Sequence, residues 1–546
     1  MLTAARVKQW RPLLPALLAS VALKAALLAA GVVPFNSDEA VVALMARHIL
    51  QGERPIFFYG QAYMGSLDAW LVAGAFAVFG EAVWAVRAVQ ILLYLGTVAT
   101  LYALALKIYA DPWIAHATAW LAAIPTVLVT LYTTISLGDY GETLLLGNGL
   151  LWLALQLREE PHARRWWALL GLGIGLGLWI FPLMGVYVLP VLVYVFWLSR
   201  PPRWPPFVGH WVVLSIGGLI GALPLWAHIA QHGWAALSEA GGAAIAGASN
   251  ASPLAALGQR VLGLVLFGMM AIIGLRPPWS VEFLALPLAP LALAVCLAAL
   301  GFAVRRLLPS PFQGRSETGP GTRVGRGLIL GVWLTLALAF VLTPFGADPS
   351  GRYFLPLAMM LTLLTAEMLC AVRSQKAWLA NALLLGLLAF NLWGNVQSAL
   401  AFPPGLTTQF DEEARVDQRD LPALMTFLRE QGETRGYASY WVTFPLAFLS
   451  NDELIFAARL PYHSDFRYTP RDDRYAPYTE AVTASPHVAY IAARHPLLDE
   501  RLRLSFAALG VTFTEKRIGD FVVFYALSRR VAPEELGLGQ VCCEAP

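Results

Sequence analysis

Pro34-Phe35-Asn36-Ser37-Asp38-Glu39-Ala40 opens a stretch, residues 34–70, around which the rest of the chain is read. A helical pattern follows to Leu50, Gly52 ends it, and Tyr59-Gly60-Gln61-Ala62-Tyr63-Met64-Gly65-Ser66 comes next. The stretch follows the first long apolar segment, Leu13 to Val33, so two adjacent carboxylates stand where that segment leaves a bilayer. Ser37 is a good N-cap residue, which puts Asp38 and Glu39 in the first helical turn and Gly52 just past the end. Acidic residues there complement the helix dipole by about 0.3–1 kcal/mol. A carboxylate held at a membrane surface also suits a general base or a metal ligand. The helix is too short to span and carries Val41, Val42, Leu44, Met45 and Ile49, so it is expected to lie against the membrane and fix the depth of the carboxylates.

Of 546 residues, 58% are hydrophobic and 13% charged, against about 25% charge in a soluble domain. Many apolar runs approach or exceed the roughly 20 residues that cross a bilayer. Composition therefore gives a polytopic α-helical membrane protein. A net charge of +3 gives no reason to expect nucleic acid as a partner, and the basic residues sit in short loops, as membrane topology requires. Arg6, Lys8 and Arg11 precede an apolar segment longer than the 7–15 residues of a cleavable h-region. It reads as a retained first span with its N-terminus in the cytoplasm. Cys296 and Cys370 read as packing residues, and Cys542 and Cys543 have no partner at zinc spacing.

About eleven spans are expected, near residues 13–33, 84–108, 113–135, 143–157, two within 166–198 split near Pro182, 207–229, 283–304, 328–344, 353–372 and 379–400. Residues 67–80 read as an interfacial or re-entrant piece, and 233–258 as a Gly- and Ala-rich outer loop. Residues 261–275 are made re-entrant too, because a span there would put Arg305, Arg306, Arg315, Arg323 and Arg326 outside, against the positive-inside rule. Residues 1–402 thus form the membrane module. After Pro403-Pro404-Gly405 the composition turns soluble, and 403–546 reads as a small extracytoplasmic α/β domain. Its expected elements are a helix from Asp420 to Gln431, strands at 437–442 and 488–492, a helix at 496–509, and a hairpin of 511–517 and 521–527 turning at Gly519-Asp520. Arg467, Tyr468, Arg471, Asp472, Asp473 and Arg474 read as a solvated loop, with acceptor selection as the alternative. There is no internal repeat to support an inverted-repeat transporter.

Other chemistry-bearing residues fall on the side expected for Asp38. Asp139 and Glu142 lie in Ser136-Leu137-Gly138-Asp139-Tyr140-Gly141-Glu142, and carboxylates from two loops suit a cation or shared recognition of an acceptor. Arg352 and Tyr353 close the loop that begins at Asp348. Arginine suits phosphate recognition, and a snorkelling Arg beside an interfacial Tyr is the plainer reading. Lys24 sits in the middle of the first span, where an ionisable residue is functional by default; a snorkelling lysine or one paired with a buried acid is the alternative. His228 and His232 have the spacing of a metal pair on one helix face, although histidines at an interface are more often solvated. His48 is expected to face headgroups.

Asn36-Ser37-Asp38-Glu39-Ala40, the Tyr-Gly-x-x-Tyr-x-Gly-Ser run at 59–66, Gly138-Asp139-Tyr140-Gly141-Glu142 and Gly351-Arg352-Tyr353-Phe354-Leu355-Pro356 resemble the GT-C superfamily of integral-membrane glycosyltransferases. The likeness is to bacterial family 39/83-type members, related to protein O-mannosyltransferases and the lipid A aminoarabinose transferase, and it covers about the first 400 residues. The resemblance implies a polyprenyl-phosphate sugar donor and transfer to a lipid, protein or polysaccharide acceptor on the outer face of the cytoplasmic (inner) membrane. It implies Asp38, Glu39 and Asp139 as catalytic acids, Arg352 as the donor-phosphate contact, and Tyr353, Tyr59, Gln61, Tyr63, Glu142 and Lys24 around the substrates. It leaves a divalent metal open. The sequence departs at one place: relatives often have Lys-Pro-Pro after the first Tyr, where this chain has Gln61-Ala62-Tyr63, which leaves Arg352 to carry more of the phosphate contact. The rival reading is a multi-span lipid or solute transporter or flippase, for which intramembrane Lys24 is the main support.

Overall fold

The computed structural model describes residues 10–199, 204–234, 253–307, 320–343 and 349–538. Asp348, Arg315, Cys542, Cys543 and most of the 233–258 stretch lie outside the described residues. The chain packs as two compact units, one of Met1–Ala30, Tyr63–Leu67 and Arg87–Leu400, the other of Gly31–Ala62, Asp68–Val86 and Ala401–Pro546.

The first unit is a helical membrane bundle. Among the described residues, seven helices of the whole chain are long and apolar enough to cross a bilayer, or eight if the pair Val208–Gly221 and Leu223–His232, bent by 61°, counts as one. The expected third span is instead two pieces, Pro112–Ala123 and Val127–Tyr132. The reason is Pro125, which lacks an N–H and pushes the preceding Ile124 out of helical conformation. Backbone freed inside a membrane must find partners in the protein. Asn391 Nδ2 donates to Ile124 O at 2.8 Å and Asn395 Nδ2 to Pro125 O at 3.0 Å. Tyr140–Glu159 has the length of a span but carries Glu142, Asn148 and Gln156, and Arg164–Ile180 has 17 residues.

Residues 261–275, expected to be re-entrant, belong to a 20-residue helix, Leu254–Ile273, that is long enough to cross. It contains a π-helical stretch, Leu264–Met269. Its neighbours are Phe340 at Gly263, Phe354 at Gly268 and Thr126 at Gly274. Close helix contact elsewhere in the bundle is made by glycines. A Cβ on Gly171 or Gly175 would stand 2.0 Å from a carbonyl of the helix Trp204–Gly221, the small-residue packing that drives helix association in lipid. Arg326 and Glu367 form a buried ion pair that ties Pro320–Leu342 to Leu355–Arg373, and Tyr109 donates to Glu367 at 3.2 Å.

The second unit is built on a five-stranded sheet. Arg435–Ser439 pairs in parallel with Ile455–Leu460 on one side and Ala489–Ala493 on the other. Phe521–Tyr525 continues antiparallel to Ala489–Ala493, and Thr514–Ile518 forms the edge. Tyr437, Tyr490, Phe524, Leu502 and Phe506 meet in its core. The strand expected at 437–442 stops at Ser439, where the helix Tyr440–Leu449 begins. This helix packs on Ser37–Gln51, with Phe35 and Phe448 ring centroids 5.6 Å apart. Arg47 ties the contact: Nε meets Glu81 at 2.6 Å, Nη1 meets Asp452 at 3.0 Å, and Nη2 donates to Phe448 O at 3.0 Å. Leu406 N donates to Val32 O at 2.9 Å, so residues far apart in sequence close one body.

Candidate functional site

In the second unit, Asn36 rather than Ser37 caps the helix Ser37–Gln51: its side chain accepts from Glu39 N at 3.0 Å. Ser37 is instead spent on a tertiary bond, donating to Tyr440 O at 2.5 Å. That bond sets Tyr440 beside the helix start, and the Tyr440 hydroxyl donates to Asp38 Oδ1 at 2.6 Å. Glu39 is fully buried, whereas Asp38 is half-buried. Of the adjacent pair, Asp38 is the more exposed. Its Oδ1 accepts from the Tyr440 hydroxyl.

Two further charges share this place. Arg474 lies over the Tyr440 ring, 5.3 Å from the centroid. Asp472 is buried, and its carboxyl is pushed up to about 7, by burial first; Arg474 opposes the shift and the Asp38 carboxylate adds to it. Burial, then Asp38, likewise raises the Tyr440 hydroxyl, which stays protonated as the donor. Gly60 makes room for Arg474: its φ is +68°, and a Cβ there would stand 2.9 Å from Arg474 Cδ. A side chain at 60 would therefore meet both a strained backbone and this arginine. The 467–474 segment, expected to be solvated, thus contributes a buried acid and a placed cation.

The raised Asp472 carboxyl makes stability depend on pH. A native carboxyl above its ordinary value binds a proton that the unfolded chain releases, so stability falls as pH rises from about 4 towards 7. Asp472→Asn removes this slope. The thermal midpoint of the purified full chain is expected to drop between pH 5 and pH 8 in the wild type and to drop less in the variant. An identical slope in both would mean that Asp472 titrates as an ordinary acid.

Tyr59 is engaged elsewhere in this unit. It donates to Glu53 Oε2 at 2.5 Å, Tyr475 donates to Glu53 Oε1 at 2.6 Å, and the two rings stack at 4.9 Å. His48 Nδ1 stands 3.1 Å from the Tyr59 hydroxyl, and its ring stacks on Tyr475 at 4.6 Å rather than facing headgroups. Gln61 is half-buried on the strand Gln61–Gly65, which also carries Tyr63.

In the first unit, Asp139 and Glu142 are buried. Gly138 and Asp139 both have positive φ, +75° and +50°, which folds the loop sharply into the helix Tyr140–Glu159. Non-glycine residues in this region store strain that the surroundings must hold. Tyr140 is held by rings: Tyr132 at 5.9 Å, Phe181 at 5.2 Å and Tyr353 at 6.5 Å. The structure thus brings the loop of Asp139 to the loop of Arg352 and Tyr353. The half-buried Arg352 guanidinium lies 5.2 Å from the Tyr353 ring centroid. Behind it stands Arg276, which no sequence pattern marked. Arg276 is 2% exposed and donates to the carbonyls of Leu266, Phe267, Pro277, Ser280 and Pro349.

Lys24 has a structural task. Its ammonium donates to Thr133 O at 2.8 Å, Thr133 Oγ1 at 2.7 Å and Thr134 Oγ1 at 2.8 Å, with Thr130 O at 3.4 Å. These groups end the half-helix Val127–Tyr132, so the buried cation caps a helix C-terminus inside the bundle. It steadies the chain shortly before Asp139. The His228 and His232 rings stack at 4.3 Å. Among the described residues no three His, Cys, Asp or Glu side chains stand together as a metal site.

Known proteins resemble this chain in sequence and in fold. The family described as dolichyl-phosphate-mannose-protein mannosyltransferase matches residues 66–228, which include Asp139 and Glu142 but not Asp38. An undecaprenyl phosphate-alpha-4-amino-4-deoxy-L-arabinose arabinosyl transferase of Pseudomonas aeruginosa is 26% identical over 343 residues, 61% of this chain and 54% of that protein. The chain thus spans about half the length of this curated relative. ArnT from Cupriavidus metallidurans, solved with undecaprenyl phosphate, superposes with a TM-score of 0.57 at 13% identity, covering 92% of this chain and 97% of ArnT. The oligosaccharyltransferase AglB from Archaeoglobus fulgidus, solved with an inhibitory peptide and a dolichol-phosphate, gives a TM-score of 0.50 at 13% identity over 96% of this chain and 74% of AglB. The fold is therefore of the GT-C membrane type, as the sequence resemblance implied.

Proposed function

We propose that this chain is a membrane glycosyltransferase that moves a sugar from a polyprenyl-phosphate donor to an acceptor hydroxyl. The observation that carries the reading is Asp38: half-exposed on a helix start, its orientation set by Tyr440, with Arg474 and Asp472 beside it. The named relatives act on, or were solved with, polyprenyl-phosphate compounds, which supports the donor class. A positioned carboxylate takes the proton of the acceptor hydroxyl as its oxygen attacks the anomeric carbon. The bond from that carbon to the phosphate oxygen breaks, and its electron pair leaves with the lipid phosphate. The family resemblance assigns Arg352 to the charge that grows on this phosphate, and a preorganised cation in a low-dielectric site stabilises such charge more than water does. A single displacement inverts the donor configuration. The basic residues Arg158, Arg164, Arg165, Arg373 and Lys376 suit the cytoplasmic side of a multi-pass membrane protein, which supports reading Asp38 as an extracytoplasmic residue.

The transporter reading loses its main support, because Lys24 is occupied in capping a broken helix. The test is to incubate membranes holding the chain with polyprenyl-phosphate pentoses and hexoses and to follow free polyprenyl phosphate. Release that needs the chain is the expected result. No release from any donor above membranes lacking the chain refutes the reading, and a product that keeps the donor configuration refutes the inverting step.

A further inference from the structure

Within the first unit, the helices Gly185–Leu198 and Pro320–Leu342 leave between them a cavity of about 1650 Å³. It runs from Arg323 to Thr343, about 30 Å along a helix, close to the thickness of a bilayer's hydrocarbon. Its walls are apolar, and Leu189, Val193 and Leu334 stay exposed in them. Gly327 opens it further, since a Cβ there would meet no atom within 4 Å.

One end is basic: Arg158, His162 and Arg323 line it. Arg158 lies against Gly321, where a Cβ would stand 2.7 Å from its Nη1. The acids next to Arg158 in sequence are engaged by other cations, Glu159 by Lys107 at 2.8 Å and Glu160 by Arg165 at 2.7 Å. The cavity thus joins a long apolar trough to Arg158 and Arg323, for which no ion pair with a carboxylate stands among the described residues.

We infer that this cavity binds an anionic glycerophospholipid, with the phosphate between Arg158 and Arg323 and the acyl chains along the trough. Arginine forks match phosphate oxygens, and basic pockets between membrane helices take lipid headgroups. The choice of a leaflet lipid over the sugar donor rests on the function proposed above, in which the donor phosphate belongs to Arg352. Arg352 follows the opposite end of the trough, beyond Thr343.

Native mass spectrometry of the delipidated full chain tests this, with phosphatidylglycerol, phosphatidylcholine of the same chains and polyprenyl phosphate offered in turn. Retention of phosphatidylglycerol over phosphatidylcholine is expected. The double variant Arg158→Gln, Arg323→Gln weakens it about 10- to 30-fold, and Gly327→Phe, which fills the trough, displaces it. Equal retention of the two phospholipids, or retention indifferent to the double variant, overturns the inference. Polyprenyl phosphate held in preference, with the same dependence on Arg158, also overturns it and gives the cavity to the donor. The readout is binding, so failure of the transferase reading shows separately, in the release assay.

Discussion

Asp38→Asn is expected to lower sugar transfer by about 10²–10⁴-fold, the usual contribution of a positioned general base, while leaving the fold almost unchanged. The structure makes this substitution selective. Asn keeps an oxygen that accepts from the Tyr440 hydroxyl, now 2.6 Å from Asp38 Oδ1. The N-cap is Asn36, so the helix start does not depend on residue 38. What the variant loses is a negative charge near the helix N-terminus, worth about 0.3–1 kcal/mol, and the capacity to take a proton. Transfer rates with saturating donor, set beside the thermal midpoint, separate the two effects. A fully active, stable Asp38→Asn variant would remove Asp38 from the mechanism. Tyr440→Phe supplies a graded comparison, since it frees the Asp38 side chain without discharging it, and a smaller loss than that of Asp38→Asn is expected.

How much of this was legible beforehand depends on how local the signal was. Asp38 and Glu39 are visible because they follow an apolar span and precede a helical pattern, and only the family resemblance makes Asp38 the candidate base and Glu39 its supporting acid. Burial adds a physical difference between them: Glu39 is at 0% exposure, and Asp38 is the half-buried member. The partners that orient Asp38 come from residues 440–474, about 400 positions away, and nothing local joins the two stretches. Tyr440 falls within the expected strand because Tyr437–Val442 is apolar but for Ser439, a pattern that does not distinguish strand from buried helix. Asp472 and Arg474 look solvated in the sequence because charge in a loop usually is. The strands 489–493 and 521–525, by contrast, were legible from β-branched and aromatic runs bounded by turn residues. In the membrane unit, hydropathy located the long helices but not the break at Pro125, whose carbonyls are satisfied by residues 391 and 395. Lys24 stands out in the sequence as costly, yet its reason for being there lies in the C-terminus of a half-helix that hydropathy treats as continuous.

Arg276→Met is expected to have the largest effect of any change away from a charged substrate contact. Methionine fills much of the volume but donates no hydrogen bond. Five carbonyls now served by one guanidinium, those of Leu266, Phe267, Pro277, Ser280 and Pro349, would lose that donor. A buried acceptor left without a partner costs about 1–3 kcal/mol, although neighbouring losses do not add. Pro349 lies three residues before Arg352, and the chain between them is tight: Gly351 has φ +78°, and a Cβ there would stand 3.0 Å from Phe267 O. Arg276 therefore holds Leu266 and Phe267 and the approach to Arg352 in one arrangement. Releasing it is expected to lower transfer by about 10²-fold through misplacement of the proposed phosphate contact, Arg352, with donor KM rising, whereas Asp38→Asn is expected to act chiefly on kcat. Arg276→Lys is expected to recover little, because an ammonium presents three donors from one point and cannot reach carbonyls spread around a planar fork. An unchanged donor KM in Arg276→Met, with only the thermal midpoint lowered, would reduce Arg276 to a brace for the bundle and break the link from this buried cation to the loop proposed to bind phosphate.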